Sequence, residues 1–233
     1  GGAAIDVGHA NNYSLAFDGT NDYIDMGDVA AFDGLAVFSL SFWFKSTSSG
    51  ADQGIWGKGE GDGIDIFYDS EEIYVDMVTD TGSHRGNTTG NTFGADGTWY
   101  HVVVVYGGSN ILIYKNASVV ETEGSVSGTI VATDLDLWIG RRHYGSDVKY
   151  FTGNMDDMAF WDVALSAADV TAIYNSGVPT DLTNSNSYDT NRTGDLQGYW
   201  KFEEGTGTTA TDSSDGGNDG TISGATYDDS VTA

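Results

Sequence analysis

Seven consecutive residues, Phe38-Ser39-Leu40-Ser41-Phe42-Trp43-Phe44, place a large apolar side chain at every second position. Only an extended strand lines Phe38, Leu40, Phe42 and Phe44 along one face, and such a face belongs in a core. Comparable strand signals recur at 63–68, 72–78, 99–106, 110–115, 135–139 and 155–161, separated by clusters of Gly, Asp, Asn and Ser. That punctuation predicts an all-β chain of many short strands. Val102 to Val105 is an unbroken β-branched run, so it should be a central strand covered on both sides. Gly107-Gly108-Ser109, just before Asn110, predicts a tight hairpin.

One helix is delimited by its own end signals. Ser166 suits the N-cap, Asp169 the third helical position, Leu165 and Val170 a hydrophobic staple, and Gly177 and Pro179 the stop. The helix is too short to stand alone, and must lie against the sheets. Residues 180–195 are polar and aperiodic, a linker or a long loop. Beyond them, 196–203 alternates like a strand, 205–220 reads as a loop and 221–223 as a short strand. The 38 residues after Asp195 are too few for a core of their own. Residues 1–233 are therefore assigned to a single domain, with 196–233 completing the same sandwich.

Charge narrows the partners. Thirty-five acidic against nine basic side chains give −26 at pH 7, which repels phosphate backbones and anionic membranes. Nucleic acid is thus not an expected partner. Such a surface suits a saline, calcium-containing setting, or is simply a strongly hydrated exterior. The chain has no cysteine, which removes disulfides and thiolate chemistry. No run approaches the roughly 20 apolar residues of a membrane span, so membrane insertion is not expected. Gly1-Gly2-Ala3-Ala4 shows no basic segment ahead of an apolar one, so export cannot be judged from it.

Two phrases carry a resemblance. Leu15-Ala16-Phe17-Asp18-Gly19 with Asp22-Tyr23-Ile24, and Gly153-Asn154-Met155-Asp156-Asp157-Met158 followed by Leu165-Ser166 and Ile173-Tyr174-Asn175, resemble the laminin-G-like family of the concanavalin A-like lectin and glucanase superfamily. Specifically, they resemble its bacterial, archaeal and phage branch. The likeness covers essentially the whole chain and implies two antiparallel sheets stacked as a jelly-roll sandwich. Gly198-Tyr199-Trp200-Lys201-Phe202-Glu203 is similar to the family's opening strand but comes last here. This permuted order resembles that of marine phage structural proteins and implies a virion surface as one setting, or the start of a following repeat.

For a metal, the resemblance implies a structural cation joining early and late strands. Calcium needs six to eight hard oxygens, which Asp18, Asp22, the Gly19 carbonyl and Asp156 or Asp157 could jointly supply. The alternative is that Asp18 and Asp22 are turn residues capping local amides. The loop 212–220 lacks the terminal glutamate of an EF-hand.

For a sugar, Arg141, Arg142, His143, Tyr144 and Tyr150 form a basic, aromatic patch on an acidic chain. Trp56 with Lys58, and His84 with Arg85, are weaker candidates. The competing account has Arg141 and Arg142 merely pairing with nearby carboxylates. Catalysis finds no support: Glu72-Ile73-Tyr74-Val75-Asp76 does not reproduce the Glu-x-Asp-x-x-Glu strand of the superfamily's glucanases. His101 alternates within a strand and reads as packing.

The resulting expectation is a non-catalytic, calcium-stabilised, lectin-like recognition or adhesion module. Its partner would be a glycan or cell-surface polysaccharide, and its location an extracellular or virion surface. The competing expectation is a structural subunit of a filament, virion or surface layer, self-assembling through sheet edges and its C-terminal strands.

Overall fold

The computed structural model describes residues 9–50, 52–58 and 63–231, apart from the side chain of Tyr144. In chain order the strands are β1 (Ser14–Asp18), β2 (Tyr23–Asp25), β3 (Phe38–Lys45), β4 (Gln53–Lys58), β5 (Ile64–Asp69), β6 (Glu72–Thr79), β7 (Gly82–Asn87), β8 (Tyr100–Tyr106) and β9 (Asn110–Lys115). They continue as β10 (Ser118–Gly124), β11 (Leu137–Ile139), β12 (Arg141–Tyr144), β13 (Asp147–Tyr150), β14 (Thr152–Trp161), β15 (Leu196–Trp200), β16 (Thr209–Ala210), β17 (Gly220–Ser223) and β18 (Thr226–Asp228). The first sheet runs β10-β9-β8-β3-β14-β1-β18, with β15 also on β14, and the second runs β16-β17-β2-β11-β4-β5-β6-β7. Both are antiparallel, and β12 pairs only with β13. The chain is an antiparallel jelly-roll sandwich.

Alternation builds the core between the sheets. Phe38, Leu40, Phe42 and Phe44 are fully buried there against Ile55, Trp56, Ile66 and Val75 of the second sheet. Each such side chain contributes roughly 1.5–3 kcal/mol. The opposite face of the first sheet is covered too. Val103 and Val105 belong to a second apolar cluster with Trp161, Val170, Ile173, Leu182 and Tyr188, while Val102 and Val104 face the main core. The valine run is thus a strand enclosed on both sides.

The layer over that outer face is helix α1 (Ala167–Tyr174) and the segment after it. Ser166 and Asp169 form a reciprocal capping box, and Leu165 and Val170 are both buried. The helix stops earlier than Gly177: Asn175, at φ 45°, caps it, because asparagine tolerates the left-handed region. Residues 180–195 are a packed loop, since Leu182 and Tyr188 complete the second cluster. Tyr188 Oη donates to the Leu182 carbonyl at 2.7 Å. The strand signal at 135–139 begins only at Leu137. Leu135 is exposed, and its carbonyl accepts from Lys58 Nζ at 3.3 Å.

Strand β14 carries the irregularity that shapes one candidate site. Its first half pairs with β1 and its second half with β15. Where the neighbour changes, the register against β3 slips between Asp156 and Ala159, and Asp157 takes φ 44°. This is a β-bulge, which re-aims side chains locally.

Candidate functional site

The hairpin β12–β13 lies across the outer face of the second sheet, over β4. Two glycines of β4 let it sit there. A Cβ at Gly54 would overlap the backbone of Arg141 and Arg142, and one at Gly57 would stand 2.9 Å from the Arg141 carbonyl oxygen. The two arginines then reach to opposite sides of β4. Arg142 stretches toward β5, with its guanidinium carbon 3.5 Å from the Phe67 ring centroid, whereas Arg141 lies over Trp138 of β11 and Tyr23 of β2.

Between the hairpin and strands β5 to β7 opens a cleft of about 490 Å³, lined among others by Asp65, Asp76, His84, Arg85, Arg142 and His143. Its polar groups are organised as arginine–carboxylate pairs. Arg85 binds both oxygens of Asp76 through Nε and Nη2. Arg142 donates from Nε to Asp52 Oδ1 at 2.7 Å and adds a second bond from Nη2. Phe67 and Tyr74 stack at 4.9 Å, yet guanidinium groups lie over both rings. The cleft therefore presents polar forks rather than an open aromatic platform.

Asp65 is the perturbed group. It is 4% exposed, Oδ1 has no partner, and Oδ2 lies 3.8 Å from Arg142 Nη1. Burial pushes its carboxyl up to about 8; Arg142 opposes the shift, and the charges of Asp76 and Asp52 add to it.

The structure divides the anticipated cation ligands. Asp18 and Asp22 close their own turn: the Asp18 N–H donates to Asp22 Oδ2 at 2.8 Å, and the Thr20 N–H donates to Asp18 Oδ1 at 2.7 Å, with Gly19 at φ 77°. Asp18 stands opposite Thr152 on β14, four residues before Asp156, which is roughly 13 Å along a strand. Strand register thus sets Asp18, Gly19 and Asp22 apart from Asp156 and Asp157. Among the described residues no three His, Asp or Glu side chains gather in a metal-holding group.

At the bulge, Asp156 is fully buried and its Oδ2 has no partner. Burial, then the charges of Asp157 and Glu203, push its carboxyl well up. Asp157 is already engaged, accepting from Tyr199 Oη at 2.6 Å and lying 3.1 Å from His9 Nε2. Burial lowers the His9 pKa, but the Asp157 contact outweighs it and the net shift is upward. An orphaned buried carboxylate oxygen beside a second carboxylate is chemically compatible with a hard cation, whereas in the Asp18–Asp22 turn one oxygen of each carboxylate is already bonded to an amide.

Other anticipated residues separate likewise. Trp56 is fully buried in the core and presents no sugar platform. Lys58 is an interior cation, held by Asp28 Oδ1 at 2.9 Å and Asp33 Oδ2 at 3.2 Å. Tyr150 pairs with Arg141 across the hairpin, and the Tyr144 side chain lies outside the described residues. His101 is buried within 2.8 Å of Ser41 Oγ, and burial pushes its pKa down to about 3. Asp65 and Asp76 were missed as cleft residues. Their signal was a carboxylate on the outward position of strands whose other face is Ile, Val and Met.

The profile of the concanavalin A-like lectin/glucanases superfamily matches residues 18–171. The chain belongs to this superfamily. Within it, this laminin-G-like domain is 29% identical over 170 residues to adhesion G-protein coupled receptor V1 of Danio rerio, covering 68% of the chain but 3% of the receptor. Its fold resembles that of a candidate carbohydrate-binding protein of Bacteroides ovatus, with TM-score 0.68 and 19% identity over 95% of this chain and 62% of that one. It also resembles mouse laminin α1 domains LG4-5, with TM-score 0.51 and 14% identity over 65% and 41% of the two chains. A third likeness is the heptameric pentraxin of Limulus polyphemus, with TM-score 0.50 and 19% identity over 70% and 82%. The fold is that of a lectin-like module. No described helix is long and apolar enough to cross a membrane.

Proposed function

We propose that this domain is a non-catalytic recognition module that takes a glycan in the cleft between the β12–β13 hairpin and strands β5 to β7, at an extracellular surface. The observation that carries this is the cleft itself, about 490 Å³, with the bidentate Arg85–Asp76 pair at one wall and Arg142, whose Nε and Nη2 both donate to Asp52 Oδ1, at another. Each such pair offers donors and acceptors side by side, the arrangement that vicinal hydroxyls of a sugar satisfy. The adhesion receptor relative and the Bacteroides ovatus neighbour support the same reading.

Calcium is part of the proposal, at the bulge alone: Asp156, with Asp157 beside it, would hold the ion. There it would supply charge neutralisation to an oxygen that has no other partner. A glycan array run at fixed calcium tests the reading, with Arg85→Gln as the control. Retention of a defined glycan class that Arg85→Gln weakens at least tenfold supports it. Retention of no glycan, or retention indifferent to Arg85, overturns it.

A further inference from the structure

Arg141 is held in a way its neighbours are not. Its guanidinium carbon lies 4.1 Å from the Tyr23 ring centroid and 4.0 Å from that of Trp138. In a chain with 35 carboxylates to nine Lys and Arg, an ion pair is within easy reach of almost any arginine, and Arg142, next in sequence, pairs with Asp52. Among the described residues none forms an ion pair or a hydrogen bond with the Arg141 side chain, and its Nε is buried without an acceptor. The indole Nε1 of Trp138 is likewise unsatisfied. His143 packs 4.9 Å from Trp138 on the same flank.

Two rings thus fix the plane of a cation and leave its fork unused. Cation–π contact positions a guanidinium without neutralising it, and a fixed planar fork matches the two oxygens of a carboxylate or sulfate. Tyr23 and Trp138, from β2 and β11, lie across β4 from the cleft strands, while His143 lines the cleft as well.

We propose that Tyr23, Trp138, Arg141 and His143 form a second subsite that accepts the acidic group of a glycan, a uronate carboxylate or a sulfate ester. The proposal rests on the reading of the domain as glycan-binding and adds a charge class on the far side of the hairpin. The long-range repulsion from a −26 chain is screened beyond about 8 Å at physiological salt. The local guanidinium then decides what docks.

Nuclear magnetic resonance of the ¹⁵N-labelled domain tests this, through the Arg141 Nε–H and Trp138 Nε1–H signals assigned with Arg141→Lys and Trp138→Phe. The probes are a tetragalacturonate, a heparin-derived tetrasaccharide and neutral maltotetraose, at matched ionic strength. Movement of both signals by an acidic probe and not by maltotetraose, with affinity at least tenfold weaker in Arg141→Gln and intermediate in Arg141→Lys, supports the subsite. Unmoved signals with both acidic probes, equal movement with maltotetraose, or unchanged affinity in Arg141→Gln overturns it. A probe that shifts only the Arg85 Nε–H signal in the cleft overturns the subsite and leaves the cleft reading standing.

Discussion

Asp65→Asn isolates the most perturbed group of the cleft. The folded chain holds this carboxyl protonated up to about pH 8, against an ordinary value of 3.8. Between those values the folded state binds a proton that the unfolded state has released, so this group makes stability fall as pH rises through that window and levels off above about 8. With a folded pKa of about 8 and an unfolded one near 3.8, the loss between about pH 6 and pH 9 is about 3 kcal/mol. Asparagine keeps the shape and stays neutral at every pH. Relative to wild type, Asp65→Asn should therefore gain about 3 kcal/mol on going from pH 6 to pH 9, or roughly 6–12 °C in a domain of this size. The net charge of −26 has its own pH dependence, but it is common to both proteins and cancels in the difference. Urea denaturation of both proteins at the two pH values measures it. Parallel pH profiles would mean that Asp65 is solvated or paired in the folded chain, and the electrostatic account of the cleft would fall.

Chelation should lower the melting temperature: calcium at a hundred times its dissociation constant stabilises by about 2.7 kcal/mol, and Asp156→Asn should abolish the response while Asp18→Asn keeps it. Lys58→Met strands two aspartates and the carbonyls of Val29 and Leu135 around a vanished ammonium. Asp28 is 41% exposed, so about 3 kcal/mol, the low end for a broken buried pair, should be lost in urea denaturation. Gly54→Ala forces the hairpin off β4 at a cost of about 1–3 kcal/mol, and glycan retention should fall with it.

The sandwich was legible because its strands are written in alternation. Phe38 to Phe44 states its buried face outright, and the capping box at Ser166 marks one helix end within a residue. Among the strands that escaped, β4, β7 and β10 hide that pattern. β4 holds Gly54 and Gly57 where the hairpin presses down, β7 is mostly polar, and β10 is an edge strand exposed along much of its length. The patch 141–150 was visible as chemistry, yet its form as a hairpin was not, since pairing across Gly145 is set by the sheet beneath it. The separation of the anticipated cation ligands was hidden for a different reason. Two acidic phrases similar in composition say nothing of register, and only the pairing of Asp18 with Thr152 shows that they lie apart.

Asp65 and Asp76 raise the question of hydrolysis, because they face each other directly on β5 and β6. Cβ atoms in such a pair are about 5 Å apart, and a retaining glycosidase likewise sets a proton-holding carboxyl near a second carboxylate. Access decides the matter. A general acid must reach the glycosidic oxygen, whereas Asp65 is 4% exposed with Oδ1 sealed from solvent, and both oxygens of Asp76 are occupied by Arg85. Freeing either would mean breaking a bidentate pair or moving the hairpin. The arrangement therefore supports the proposed binding role over proton transfer. Incubation with any polysaccharide the cleft retains should release no reducing ends. Asp76→Asn and Arg85→Gln should weaken retention alike, because each breaks the same fork. Reducing-end release that disappears in Asp65→Asn would show instead that the carboxyl reaches its substrate, and the binding-only account would have to be abandoned.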